Sequence, residues 1–220
     1  MSLRFDIRVG LGAVAICGTL NGCCSHDCKD DPPSKTTFFV TSDTHDNGDL
    51  GGLDGADKRC RDLAAAANIK GHTFSAYLST SEVNAKDRIG KGPWKNARGD
   101  QIASDLQQLE GKSGDATLFV TESGDQINGA WEGSPLPSEH AIFTGSTSKG
   151  LKLSDETCND WTSDKATENA RFGFSDGIGP TGSTAGDFKS WNSAITKPCD
   201  STSAAASAGR LYCFASDDSR

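Results

Sequence analysis

The stretch FFVTSDTHDNGD, residues 38–49, places candidate metal ligands directly after a short apolar run. Asp43 and His45 are separated by one residue, and Asp49 follows a glycine. Carboxylates and imidazoles are among the ligands with which two-metal sites hold an attacking and a leaving oxygen. The first question is therefore whether this segment opens a metal-dependent hydrolytic site.

The other histidines argue against such a site, because two metal ions about 4 Å apart need His, Asp and Asn ligands from several separated loops. The chain contains His26, His45, His72 and His140, and His72 lacks the second histidine that such a site would use. Asp49 also follows His45 too closely to belong to another loop. We therefore predict that the protein is not an enzyme, and keep a metal-dependent hydrolase as the less favoured alternative.

The same loop supplies four oxygen donors that suit a hard cation such as calcium, namely Asp43, Asn47, Asp49 and Asp54. Residues 43–54 have the length of a helix-loop-helix calcium loop. Its third position is a histidine, however, and its twelfth is aspartate rather than glutamate. The alternative is that these side chains form turns and cap a helix.

The N-terminal segment, residues 1–22, is predicted to be a lipoprotein signal peptide. Arg4 and Arg8 precede an apolar run that is too short to span a bilayer. The run ends in Leu-Asn-Gly before Cys23, and this ending resembles a bacterial lipobox, in which the cysteine receives a lipid. We therefore expect an extracytoplasmic protein of the cell envelope, held at the outer membrane or cell surface by a lipid on Cys23.

Residues 23–36 are polar and contain two prolines, which predicts a flexible tether between the lipid and a folded domain. Cys24 and Cys28 in this tether either pair with each other or stay unpaired.

The charge balance excludes one class of partner. The chain has a net charge of −8, and removal of residues 1–22 leaves 20 basic and 29 acidic residues, a net charge of −9. Because an acidic surface repels phosphate backbones, we expect no nucleic-acid partner.

The rest of the chain alternates short apolar segments with turns rich in glycine, serine and aspartate. Apolar spacing predicts a helix from Asp54, its N-cap, to Asn68, and a second short helix at residues 104–109. Short strands are predicted at residues 38–40, 74–78, 118–120, 142–144, 171–174 and 211–214. Since helices come early and strands late, the pattern favours an α+β fold.

Four cysteines belong to this part of the chain, namely Cys60, Cys158, Cys199 and Cys213. An even number of cysteines in an exported domain predicts a disulfide framework, but the spacing alone leaves three pairings open.

Several motifs occur in an order that is similar to a known family. Gly-Ala-Asp-x-x-Cys ends at Cys60, and residues 71–79 read GHTFSAYLS. Ile-Phe-Thr-Gly-Ser at residues 142–146, Cys-Asn-Asp-Trp at 158–161 and a closing Leu-Tyr-Cys follow in turn. Together these motifs resemble the endostatin-like branch of C-type-lectin-like domains, as found in a group of bacterial lipoproteins.

The resemblance implies a C-type-lectin-like fold over residues 37–217, with two helices, short antiparallel strands and long loops. It also implies two nested disulfides, Cys60 with Cys213 and Cys158 with Cys199.

In sugar-binding members of that fold, a calcium ion and a Trp-Asn-Asp strand hold the sugar. Trp191 and Asn192 match the first two positions, so they are the candidate ligand loop, although Ser193 replaces the aspartate. A core position for Trp191 is the alternative.

These observations predict a lipid-anchored, non-enzymatic recognition or adhesion domain whose ligand is a glycan or a protein, with calcium as a candidate cofactor. A structural envelope lipoprotein without a dedicated ligand is the alternative.

Overall fold

The computed structural model describes residues 33–216 of the chain. Within this range the protein is a mixed α+β fold with short helices and small antiparallel sheets, as the order of the predicted elements indicates. The predicted signal peptide, Cys23 and most of the predicted tether lie outside the described residues. The helices are α1 (Gly52–Ala66), α2 (Leu106–Glu110) and α3 (Cys158–Trp161). The strands are β1 (Phe38–Val40), β2 (Phe74–Ala76), β3 (Trp94–Lys95), β4 (Gln101–Ala103), β5 (Ala141–Phe143), β6 (Asn169–Phe174), β7 (Ile195–Pro198) and β8 (Tyr212–Ala215).

The strands form three small sheets, and the last strand is central to one of them. The first sheet has the order β1-β8-β2, the second is the β3-β4 hairpin, and the third has the order β5-β6-β7. Neighbouring strands are antiparallel throughout these sheets. Phe39 and Ala76 pair with Cys213 from its two sides, so β8 joins the N-terminal strand to the strand that follows α1.

The helix α1 follows from the spacing of small and apolar residues on one face. Ala56, Cys60 and Ala64 recur at intervals of four and are buried. On the same helix, the Asp57 carboxylate accepts the Ala76 backbone N–H at 2.8 Å and bonds the Arg88 guanidinium at 2.7 and 2.9 Å. Hydrogen bonds between charged partners are stronger than neutral ones, so this contact of Arg88 Nη2 with both carboxylate oxygens adds stability.

The start of α1 differs from the prediction. The N-cap is Gly51, with a φ of 74°, and the Gly55 N–H donates to its carbonyl at 3.2 Å. Asp54, the predicted N-cap, lies in the first turn, where a negative charge is favoured by the helix dipole. Glycine reaches the left-handed conformation at this cap without the strain that aspartate would incur, and this explains the difference.

Two disulfides join segments that are distant in sequence. Cys60 on α1 bonds Cys213 on β8, with 5.6 Å between their Cα atoms, and Cys158 bonds Cys199 at 5.7 Å. The second bond is nested within the first along the chain, as the resemblance implies. Disulfides of this kind indicate an oxidising, extracytoplasmic environment.

The strand β8 separates two hydrophobic clusters, because successive side chains of a strand point to opposite faces. Leu211, Cys213 and Ala215 lie in the cluster that contains α1 and both disulfides. Tyr212 and Phe214 lie in the other, which is mainly aromatic. The second cluster also contains Phe38, Tyr77, Trp94, Phe119 and Trp191.

Residues 118–120, predicted as a strand, form a turn that ends in an isolated bridge at Val120. The Asp115 carboxylate accepts both the backbone N–H and the hydroxyl of Thr117, at 2.9 and 2.6 Å. The Asp115 carbonyl accepts the next two N–H groups, so these backbone donors are used locally rather than in a strand pair. The prediction of a strand was wrong here, because the hydrogen bonds of the turn at Asp115 determine the backbone conformation in spite of the apolar side chains.

The turn α3 was not predicted, and its backbone is unusual. Cys158, Asn159, Asp160 and Trp161 all have positive φ, between 48° and 67°. Consecutive non-glycine residues in this region are costly, so tertiary contacts must hold them. These contacts are the disulfide of Cys158 itself and a 2.7 Å hydrogen bond from the Trp161 indole N–H to the Ser79 carbonyl.

The Asp160 carboxylate ties α3 to the loop after β2. It accepts the Ser81 N–H and the Ser81 hydroxyl, each at 2.7 Å, and the Thr157 hydroxyl at 3.2 Å. Partial burial acts to raise the pKa of Asp160, but these hydrogen bonds and the charge of Lys152 outweigh it and leave the pKa below its ordinary value. Because the folded-state pKa is lowered, this carboxylate stabilises the fold above the ordinary aspartate pKa, and the stabilisation is lost as the pH falls through the lowered one.

We expect Ser81→Ala to reduce the free energy of unfolding by about 1 kcal/mol at neutral pH, since it removes a hydrogen bond to a charged group. The difference from the wild type should shrink as the pH falls below the ordinary aspartate pKa. Urea unfolding at neutral and at acid pH measures this. Ser104→Ala, which removes the 2.8 Å hydrogen bond to the fully exposed Asp105, is the matched control and should change little. A pH-independent loss in Ser81→Ala would contradict the role given to Asp160.

Candidate functional site

The four candidate calcium ligands lie in the loop before α1 and at its first turn. Both carboxylate oxygens of Asp43 bond the Arg59 guanidinium, at 2.8 and 3.1 Å. Asn47 Oδ1 accepts the Asp49 N–H at 3.0 Å, and Asp49 Oδ1 accepts the N–H two residues further on at 3.1 Å. Asp54 is exposed. Asp43 thus forms an ion pair, Asn47 and Asp49 form turns, and Asp54 lies in the first turn of α1. The sequence left open the alternative that these side chains form turns and cap a helix, and these roles are similar to it.

The candidate ligand loop at Trp191 and Asn192 is buried, with each residue 1% exposed. The Trp191 indole N–H donates to the Leu109 carbonyl at 3.0 Å. The Asn192 amide donates to the Tyr77 hydroxyl at 3.1 Å and to the Thr147 carbonyl at 3.3 Å. The contacts of both side chains are therefore with the protein itself, and we place the candidate site elsewhere.

A cavity of about 430 Å³ lies beside the third sheet. Its walls include Phe174 at the end of β6, Ile195 and Lys197 on β7, and Phe188 on a 3₁₀ turn (Gly186–Lys189). His140, immediately before β5, also lines it. A volume of this size, with mainly apolar walls and a few polar groups, is typical of a small-molecule site.

A buried histidine–aspartate pair lies at this cavity. His140 Nδ1 is 2.7 Å from Asp176 Oδ1, and the two side chains are 5% and 1% exposed. Strand pairing brings them together, because β5 and β6 place Ala141 opposite Phe174 and the Ser175 N–H donates to the His140 carbonyl. Residues 36 positions apart thus meet at the open end of one strand pair.

Asp176 also organises the surrounding loops. Its Oδ2 accepts the Ala130 N–H at 2.7 Å, and its Oδ1 accepts the Ile178 N–H at 3.0 Å in addition to His140. A Cβ at Gly129 would overlap this carboxylate, so glycine is needed for the loop to approach it. Two backbone N–H groups already point at this carboxylate, and a carboxylate only accepts hydrogen bonds. His140 Nδ1 is therefore the donor of the pair, and Nε2 is the nitrogen left for another partner.

Aromatic packing fixes the orientation of the imidazole. The His140 ring stacks on Phe174, with 4.5 Å between ring centroids and 14° between planes, and Phe188 lies 6.0 Å from Phe174. A Cβ at Gly179 would overlap the Phe188 ring, so this glycine allows the aromatic wall to close. The imidazole is thus held on one face by a ring and on one edge by a carboxylate.

A polar groove of about 270 Å³ adjoins the cavity and shares Ser138 with it. Threonine and serine side chains line this groove, including Thr44, Thr202 and Ser203. The Ser138 hydroxyl is buried and has no hydrogen-bond partner among the described residues. Buried polar groups normally have a hydrogen-bond partner, so this hydroxyl between the cavity and the groove is able to bond another group.

The lining of the cavity differs in charge from the acidic chain as a whole, and the nearby Asp176 carboxylate is buried and bonded to His140. Apart from His140, the one ionisable side chain that lines it is Lys197, and none of its described lining residues is a carboxylate. Lys197 makes no ion pair within residues 33–216. An isolated cation beside an apolar cavity favours an anionic group on a ligand.

Comparisons with known proteins add no assignment, since no protein-family model and no curated protein matches the chain.

Within the described part of the chain, none of the helices has the length and apolar character needed to cross a bilayer. Residues 33–216 contain no group of three or more His, Cys, Asp or Glu side chains arranged around a metal position.

Sequence reasoning missed the residues that form this site. His140, Asp176, Phe188 and Lys197 lie on four separate segments, and no local spacing connects them. The available signal was a histidine two residues before the predicted strand 142–144 and an aspartate two residues after the predicted strand 171–174, which an antiparallel pairing of these strands would bring together.

We expect Asp176→Asn to lower the free energy of unfolding by about 2 kcal/mol, because an amide group would face an N–H donor in a buried site. Urea unfolding monitored by fluorescence measures the loss. Asp187→Asn, at an exposed position beside the cavity, is the matched control and should stay within about 0.5 kcal/mol of the wild type. Equal effects of the two substitutions would show that Asp176 does not organise the loops.

Proposed function

We propose that the protein is a lipid-anchored, non-enzymatic recognition domain of the C-type-lectin-like fold, in its endostatin-like branch. The fold assignment is supported by the order of the sequence motifs, by the early helix tied to the last strand through Cys60 and Cys213, and by the nested second disulfide. Two disulfides support display outside the cytoplasm. A fold alone does not define a function, so the functional proposal rests on a site.

The observation that carries the proposal is the cavity lined by His140, whose imidazole is paired with the buried Asp176. The scaffold fixes the imidazole before any ligand arrives, because Asp176 and Phe174 hold it and two backbone N–H groups hold the Asp176 carboxylate. Preorganised polar groups beside apolar walls are the arrangement with which proteins bind small ligands selectively. We therefore place ligand recognition at this cavity.

Blocking the cavity tests the proposal directly. Ile195 lines it and is only partly buried, so Ile195→Trp should fill the space without disrupting the core. We expect at least one class of compound, among glycans, peptides and small organic acids, to raise the melting temperature of the purified full chain. A ligand at a hundred times its dissociation constant stabilises a protein by about 2.7 kcal/mol, which is a shift of several degrees.

The shift should disappear in Ile195→Trp and persist in Ile69→Trp, a control at another partly buried isoleucine that does not line the cavity. If no compound shifts the melting temperature, or if both variants respond like the wild type, recognition at this cavity is wrong. A structural envelope lipoprotein would then be the better description.

The anchor has a separate test at Cys23, which lies outside the described residues. We expect the wild type to be found in the membrane fraction with its leader removed, because lipidation precedes cleavage at a lipobox cysteine. Cys23→Ala should accumulate in the unprocessed size and lose its lipid label. Cys24→Ala is the matched control and should be processed normally. Normal processing and lipid labelling of Cys23→Ala would contradict the lipoprotein assignment.

A further inference from the structure

The cavity is large enough for a ligand with one or two rings. Its volume of about 430 Å³ is at the lower end of the range for small-molecule sites. Phe174 and Phe188 form one wall with a centroid distance of 6.0 Å, and Ile195, Ala205 and Pro180 contribute further apolar surface. Flat aromatic side chains favour a flat apolar partner, because offset and edge contacts between rings add to the burial of apolar area.

The pair of His140 and Asp176 determines what the imidazole can offer a ligand. The Asp176 carboxylate accepts two backbone N–H groups and lies 2.7 Å from His140 Nδ1; because a carboxylate only accepts hydrogen bonds, it holds the proton of the imidazole on Nδ1. In the neutral imidazole, Nε2 is then an acceptor. His140 lines the cavity, and its Nε2 has no hydrogen-bond partner among the described residues. A ligand hydroxyl that donates to Nε2 satisfies this nitrogen.

The single cation of the lining favours an acidic ligand. Lys197 has no carboxylate partner within residues 33–216, and no carboxylate lines the cavity. The whole chain has a net charge of −8, so Lys197 is a local positive charge on an acidic protein, and such a charge favours an anionic group at this position. Charge complementarity at one place in an acidic protein is a specific recognition feature.

From these features we propose that the cavity binds a small aromatic carboxylic acid that carries a hydroxyl on its ring. The ring lies against Phe188, the carboxylate faces Lys197, and the hydroxyl donates to His140 Nε2. This inference rests on the proposed function, because it names the ligand class for the same cavity.

Three naphthalene probes test the assignment by titration calorimetry on the purified full chain. Hydroxynaphthoate, with its hydroxyl and carboxylate at opposite ends, carries both groups, naphthoate lacks the hydroxyl, and naphthol lacks the carboxylate. We expect hydroxynaphthoate to bind about fivefold more tightly than naphthoate, the usual effect of one neutral hydrogen bond. It should bind about tenfold more tightly than naphthol, because a charged hydrogen bond is stronger.

Two substitutions assign the groups to their partners. Lys197→Met should weaken hydroxynaphthoate binding about tenfold and leave naphthol unchanged, whereas Lys189→Met, at an exposed lysine outside the lining, should change neither. His140→Asn keeps a donor for Asp176 and removes Nε2, so it should abolish the preference for the hydroxyl. If His140→Asn does not fold, the comparison of hydroxynaphthoate with naphthoate on the wild type still tests the hydroxyl contact.

The inference is overturned if naphthol binds as tightly as hydroxynaphthoate, or if Lys197→Met binds both acids like the wild type. It is also overturned if none of the probes binds while another class of compound shifts the melting temperature in a way that Ile195→Trp abolishes. In that last case recognition at the cavity stands and only the ligand class is wrong. Failure of every compound class overturns the recognition proposal as well.

Discussion

The bond between Cys60 and Cys213 is the constraint on which most of the fold depends. It links α1 to the central strand of the first sheet across a sequence separation of 153 residues. In the loop-entropy model a closure of this length stabilises the folded state by about 5 kcal/mol, and the bond between Cys158 and Cys199, which closes a shorter loop, by about 4 kcal/mol. These contributions are large relative to the marginal stability of a typical domain. They allow a chain with short strands and long loops to hold one conformation.

The central strand β8 connects the disulfide between Cys60 and Cys213 to the residues that pack beside the candidate site. Cys213 faces the disulfide-containing cluster, while Tyr212 beside it faces the aromatic cluster. Burial raises the pKa of the Tyr212 hydroxyl well above its ordinary value, so the hydroxyl stays protonated and donates to the Trp191 carbonyl at 2.7 Å. A Cβ at Gly173 would overlap that carbonyl, so the close approach of β6 to Trp191 requires glycine. The next residue along β6 is the aromatic platform of the cavity, Phe174.

Several expectations from the sequence describe the structure well, and each rests on local chemistry. The apolar face of α1 and the strand at residues 38–40 both follow from the periodicity of apolar residues. The errors have physical causes as well. An aspartate turn replaced the strand at residues 118–120, and Gly51 took the cap position expected of Asp54. The four positive φ values of α3 could not be predicted, because tertiary contacts hold them against their local preference.

The sequence by itself determined the α+β class, the acidic charge, the number of cysteines available for bonding and the approximate positions of α1 and most strands. Those properties depend on composition and on spacing within about ten residues. The tertiary structure alone decided that Trp191 and Asn192 are buried, that Asp43 pairs with Arg59, and that His140 meets Asp176. These contacts join segments that are far apart in the chain, and only the strand pairing and the disulfides bring such segments to hydrogen-bonding distance.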